Sequence, residues 1–162
     1  FELLPMPSRF YESRLNGRYA RRQYHPRRGP FQIDHPLGAT MMVRSDVAES
    51  TEGFDESFHM FCEEIDWSWR VHKAGWDIYA VPAAEIVHYA GESTRQVPAD
   101  TVVNLWRSRA KLYRKHHGRF RLAVASRLVQ RSMARKAKKA ADPKMRSAYQ
   151  EVATIWSTNG HK

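Results

Sequence analysis

The chain has 162 residues, 42% of them hydrophobic and 12% aromatic, which suits one domain with an apolar core and excludes a disordered polypeptide. Its formal net charge of +10 points to anionic partners: pyrophosphate groups, lipid headgroups or nucleic acid. One cysteine, Cys62, excludes an internal disulfide and fits a reducing compartment; no signal-peptide pattern follows Phe1, and no apolar run approaches the ~20 residues that cross a bilayer.

Residues 1–30 read as a basic arm. Arg9, Arg14, Arg18, Arg21, Arg22, Arg27 and Arg28 face only Glu2 and Glu12, and Pro5, Pro7, Pro26 and Pro30 punctuate the stretch. Phe10, Tyr11, Leu15 and Tyr19 recur at helical spacing, so a short helix is predicted between Arg9 and Arg22. The arm is either a membrane-surface or acceptor-contacting segment or a solvated insert.

Residues 31–98 alternate short strands and helices. Phe31–Asp34 reads as a strand broken by Pro36, and Ala39–Arg44 as a buried strand opened by Gly38. Ser45 is a candidate cap for a short helix reaching Glu49. Gly53-Phe54-Asp55 is turn chemistry, with Phe54 and Phe58 as core anchors. Glu63, Glu64 and Asp66 then crowd into the start of an amphipathic helix that ends at Gly75, where a left-handed cap is expected. The positive end of the helix dipole favours ionised carboxylates there by roughly 0.3–1 kcal/mol, which would keep both glutamates basic. Asp66 and Arg70 stand at i,i+4 and can pair on the helix surface. Cys62 beside two glutamates has a disfavoured thiolate and reads as packing. Asp77–Val81 and Glu85–Tyr89 are the next strands. His88 ends the second, just before a Gly-x-Ser-Thr turn. Neutral imidazole with carboxylates suits an Mn or Mg site when phosphate oxygens complete it. Ser93, Thr94 and Arg95 either contact a phosphate or acceptor or simply cap the turn.

Residues 99–162 read as a helical extension. Val103, Trp106, Ala110 and Tyr113 form the stripe of a helix from Ala99 to His117, capped by Gly118; the adjacent His116 and His117 decorate its end. Arg119–Ala141 follows as a helix with Phe120, Leu122, Val124, Leu128 and Val129 for an apolar face and a dense basic face, the pattern of a helix lying on an anionic membrane. Asp142-Pro143 starts a last helix with its stripe at Met145, Ala148/Tyr149, Val152 and Ile155/Trp156.

Gly38-Ala39, Arg44, Gly53-Phe54-Asp55, Glu63-Glu64-Ile65-Asp66-Trp67, Arg70, Ala74-Gly75-Trp76, Val81-Pro82, His88, Gly91 and Ser93-Thr94 together resemble the C-terminal half of a family 2 glycosyltransferase, in its bacterial rhamnosyltransferase-like branch. Arg107-Ser-Arg and Tyr113 to Gly118 are similar to that branch as well. The resemblance implies an α/β architecture: the C-terminal part of a GT-A fold with a few short strands, followed by the helical extension. It implies inverting transfer of a sugar, rhamnose by the branch resembled, from a nucleotide-sugar to a glycan or lipid-linked acceptor, as in cell-wall or polysaccharide biosynthesis. An acidic pair supplies the base in such enzymes. Glu63 and Glu64 fall on its two positions, with glutamate where aspartate is usual, so Asp66 stands as a second candidate. Gly38 and Ala39 match a loop lining the sugar site, and Trp67, Arg70, Ser93, Thr94 and Arg95 join the substrate contacts. His88 matches a metal-binding histidine, which implies a divalent cation, Mn or Mg. The nucleotide-binding half of a GT-A enzyme, with its Asp-x-Asp-type motif, has no counterpart before Gly38. The chain is therefore expected to be part of a longer enzyme, inactive without its missing N-terminal half, cytoplasmic and peripheral on the inner face of the membrane. The competing reading is a basic nucleic-acid- or membrane-binding module without catalysis. Against nucleic acid, the best-patterned stretch is the most acidic and no known nucleic-acid signature occurs.

Overall fold

A computed structural model of the chain describes residues 19, 21–88 and 97–157, which form two compact units. One comprises the described residues up to Asp55 with Glu63–His88; the other comprises Glu56–Cys62 with the described residues from Val97 onward. Among the described residues helix dominates, with one two-stranded sheet, an α/β composition.

In the first unit a 3₁₀ turn, Arg21–Tyr24, leads to strand β1, Phe31–Ile33. Tyr19 and Tyr24 pack their rings on Phe31 at 5.5 and 5.2 Å. Strand β1 pairs antiparallel with β2, Ile78–Ala80, in the register Phe31–Ala80, Gln32–Tyr79, Ile33–Ile78. Between them lie α1, Ser45–Ser50, and α2, Glu63–Lys73. The core is small: Val47 of α1 against Trp67 and Val71 of α2, with Met41, Ala48 and Ile78 half-buried around them. His72 presents its two ring nitrogens to the carbonyls of Asp34 and Trp76, each at 3.0 Å, and so ties α2 to the end of β1 and to its own exit turn. Gly75 holds φ +88, the left-handed conformation expected of a helix cap.

Several expectations give way here. Ala39–Arg44 is not a strand: a turn closed by Thr40 N–H donating to Leu37 O precedes irregular backbone, and Met42 is fully exposed. Residues 85–88 likewise make no strand, and Ile86 and Val87 face outward. Strand propensity needs a neighbouring strand to satisfy its ladder, and among the described residues none lies beside either segment. Ser45 is the first residue of α1 rather than its cap; Arg44 holds the cap position and donates to Asp46 at 3.0 and 2.7 Å. Phe54 is 45% exposed, and its ring meets Trp67 edge to face at 4.8 Å. The predicted helix between Arg9 and Arg22 lies mostly outside the described residues.

The second unit is a three-helix bundle of α3, Pro98–His116, α4, Arg119–Lys139, and α5, Pro143–Ile155. Helix α5 packs against both others, which touch each other only slightly. Val103, Trp106, Ala110 and Leu112 of α3, Val129, Met133 and Ala137 of α4, and Ala148 and Val152 of α5 fill the core, joined by Trp156. Trp156 donates its indole N–H to Trp106 O at 2.9 Å and meets Trp106 and Tyr113 edge to face. Phe58 is buried under Lys111, whose Nζ stands 4.9 Å from the ring, and Ser108 donates to Met60 O at 2.6 Å. Asp142 caps α5, accepting from Lys144 N–H at 2.9 Å, and Pro143 takes the first helical position as the sequence predicts. Gly118 is not a left-handed cap of α3: its φ is −67, and it occupies the N-cap position of α4. His117 instead closes α3 and packs on Tyr113 at 4.5 Å; burial, then the neighbouring cations of Arg121 and His116, lower its pKa. The expected apolar face of α4 divides. Val129 turns into the bundle, whereas Phe120, Val124 and Leu128 stay outside it.

Candidate active site

The acidic cluster opens α2, and the helix sends its carboxylates to different environments. Around a helix Glu64 stands about 100° from Glu63 and about 160° from Asp66, so Glu64 and Asp66 cannot share one surroundings. Phe61 and Cys62, immediately before the helix, hold φ of +68 and +67. Left-handed backbone at two non-glycine residues costs about 1–3 kcal/mol each, a strain that clusters at functional sites.

Asp66 is fully buried. Its Oδ2 accepts from Arg70 Nε at 3.0 Å. Arg70 also donates through its two terminal nitrogens to Thr51 O and Gly53 O. The pair expected on the helix surface is thus an internal clamp that draws α2 onto the Thr51–Gly53 turn, where Glu52 and Gly53 both hold φ +59. Trp67 is buried too, and its Nε1–H donates to Thr51 Oγ1 at 2.7 Å, while Thr51 Oγ1 donates to Val47 O at 2.6 Å. Arg70 and Trp67 both have polar groups consumed by the same turn, although the Trp67 ring still borders an open cavity.

Glu64 faces a different way. It is half-buried, and it lies against Gly38: a methyl placed on that glycine would stand 3.5 Å from Glu64 Cβ and 3.7 Å from its carboxyl carbon. The structure therefore brings together two residues 26 positions apart that the sequence offers for one site. Burial raises the pKa of the Glu64 carboxyl, the charge of Glu63 adds to the rise, and its backbone hydrogen bond and His35 oppose it. Burial here outweighs the helix dipole, which by itself would have held the group low. Glu63 carries a buried Oε2 with no hydrogen-bond partner. Ala39 follows Gly38 in the exposed turn.

A cavity of about 320 Å³ opens beside this helix, lined by Met41, Val43, Val47, Trp67, Val71 and Trp76 among others. The Arg44 guanidinium lies 4.9 Å from the Trp76 ring centre on its rim. His88 is exposed and in irregular backbone. Among the described residues no three His, Cys, Asp or Glu side chains gather as a metal site, so these residues do not by themselves compose a divalent-cation centre. Ser93, Thr94 and Arg95 lie outside the described residues.

Two contributors escape sequence reasoning. Thr51 holds Trp67 and α1 together, yet a threonine after a short helix carries no signal of that role. His35 acts on Glu64 electrostatically, and only its position three residues before Gly38 hinted at it.

No family model matches the chain, and no solved structure matches it. Curated relatives do. The chain is 39% identical over 62 residues to the N-acetylglucosaminyl-diphospho-decaprenol L-rhamnosyltransferase of Mycobacterium tuberculosis, a match covering 38% of this chain and 20% of that protein. It is 36% identical over 63 residues to Rhamnosyltransferase WbbL of Escherichia coli K12, covering 39% of this chain and 24% of that protein. The matched stretch spans a fifth to a quarter of the length of these relatives. Over that stretch, the sequence relationship of the chain is to glycosyltransferases.

Proposed function

We propose that this chain carries the acceptor-side part of a glycosyltransferase active site, with Glu64 as general base. The observation that carries the reading is the seating of Glu64 against Gly38, half-buried and with its carboxyl pKa raised, beside a chain similar to rhamnosyltransferases. A base whose pKa is lifted toward working pH takes a hydroxyl proton more effectively than an ordinary carboxylate. In the proposed step Glu64 removes the proton of an acceptor hydroxyl. That oxygen bonds to the anomeric carbon of a nucleotide-sugar, and the bond from this carbon to the diphosphate oxygen breaks, releasing the nucleoside diphosphate with inversion. Rhamnose is the proposed sugar. The acceptor is a glycan or lipid-linked sugar, as the name of the M. tuberculosis relative suggests for that protein.

The complete burial of Asp66 and its pairing with Arg70 support Glu64 over Asp66 as the base, with Asp66 and Arg70 holding the turn that frames α2. The charge of Glu63 adds to the raised pKa of Glu64. The GT-A fold, the missing nucleotide-binding half, inactivity of this chain alone, a cytoplasmic place on the inner face of the membrane and an Mn or Mg ion touching His88 all belong to the same proposal. The ion rests on His88 alone, and Mn titration of the complete enzyme with and without His88→Ala tests it. The central test compares Glu64→Gln with Asp66→Asn in the complete enzyme. Glu64→Gln should reduce turnover about 10²-fold or more with its fold intact. Turnover preserved in Glu64→Gln overturns the assignment, and turnover by this chain alone overturns its incompleteness.

A further inference from the structure

Helix α4 shows an unusual outward face. Phe120 is 82% exposed, Leu128 49% and Val124 43%, although the same helix buries Val129, Met133 and Ala137 in the bundle. Spaced four residues apart, the three exposed side chains form a stripe about 12 Å long on one side of the helix. Arg121, Arg127, Arg131 and Arg135 are exposed along the same outward arc. No Asp or Glu occurs anywhere between residues 119 and 139.

An outward apolar stripe that continues into unbroken positive charge matches one chemistry: a surface that is negative at its boundary and apolar beneath. We propose that the outward face of α4 is a membrane-contact surface, with Phe120, Val124 and Leu128 entering the acyl boundary of an anionic bilayer and the flanking arginines meeting its headgroups. A second copy of the chain is a poor occupant, because pairing the faces would set cations against cations. A polynucleotide would satisfy the arginines but leave the stripe in water. Among the described residues no helix is long and apolar enough to cross a membrane, so α4 lies in the interface and does not span it. The proposal deepens the membrane placement within the reading above by naming the surface that makes it, and it does not depend on the catalytic assignment of Glu64.

The test uses the whole chain with vesicles of phosphatidylcholine, alone or mixed with phosphatidylglycerol. Binding is expected to the mixed vesicles, weaker with added salt, and little to the neutral ones. Phe120→Ser and Leu128→Ser should each weaken binding about tenfold or more, and Phe120→Ser should leave the fold intact, because Phe120 is 82% exposed and outside the buried core. Phe120→Trp should gain tryptophan quenching by lipids brominated in their acyl chains, beyond that of the parent. Glu64→Gln should bind vesicles like the parent even where it abolishes sugar transfer, which separates this inference from the catalytic one. The proposal is overturned by absence of binding to anionic vesicles. It is equally overturned by binding that Phe120→Ser leaves intact and Phe120→Trp reports as unquenched, or by tighter binding to single-stranded DNA than to the vesicles.

Discussion

Glu64 rests against Gly38 so closely that its Cβ and carboxyl carbon lie 3.5 and 3.7 Å from where an alanine methyl would stand. These are ordinary van der Waals distances, and Gly38 does not sit in left-handed backbone. Gly38→Ala should therefore fold with stability within about 0.5 kcal/mol of the parent. Gly38→Leu adds three carbons beyond a Cβ already in contact with Glu64, and it is expected to displace the Glu64 carboxyl. It should cost turnover in the complete enzyme by about 10²-fold, the scale of a small misplacement of a catalytic group. Thermal melts beside turnover numbers decide it, and equal turnover in both variants would separate Glu64 from the chemistry.

Burial makes the ionised form of Glu64 unfavourable in the folded chain, so its folded pKa lies above its unfolded value. The folded state then holds the proton more tightly than the unfolded state. Stability from this group is fully present below the ordinary carboxylate pKa and is lost as pH rises through the raised folded value. Glu64→Gln removes that loss. Its thermal midpoint should exceed that of the parent at neutral pH, and the difference should vanish in acid, below the ordinary carboxylate range. A midpoint difference that grows toward acid would contradict the burial of the charge.

Substitution of Asp66 should lower stability instead. Asp66 is fully buried with Arg70 as its charge partner, and Arg70 in turn holds Thr51 O and Gly53 O. Asp66→Asn leaves the guanidinium uncompensated and should cost about 3–5 kcal/mol of stability. Urea midpoints for Asp66→Asn, Arg70→Met and the double variant would show strong coupling in a double-mutant cycle. Losses that merely add would place the two groups apart.

Thr51 serves two buried partners through one hydroxyl, accepting from Trp67 Nε1 at 2.7 Å and donating to Val47 O at 2.6 Å. Thr51→Val keeps the shape and orphans the indole N–H, a loss of about 1–3 kcal/mol. Thr51→Ser keeps the hydroxyl and gives up one methyl, about 0.8 kcal/mol. Denaturant melts should rank the parent first, then Thr51→Ser, then Thr51→Val.

The sequence by itself determined the helices and, in α3 and α5, their inward stripes. Trp106, Ala110, Val152 and Trp156 recur at helical spacing, and periodic burial is a local property that a linear pattern records. It also determined caps such as Gly75 and Asp142, which act within a few residues of their helix ends, and the choice of Gly38, Glu63, Glu64 and Asp66 as candidates. Tertiary structure alone decided which carboxylate is enclosed and which faces Gly38. Residues 64 and 66 are near neighbours in sequence, but a helix turns them about 160° apart, and what each meets is supplied by residues distant in the chain: the Thr51–Gly53 turn for Asp66 through Arg70, and Gly38 for Glu64. It likewise decided that Ala39–Arg44 stays out of a sheet, since a strand forms only where another backbone is present to pair with it. And it decided that Phe120, Val124 and Leu128 point away from the bundle, because the opposite side of α4 already fills the space against α5.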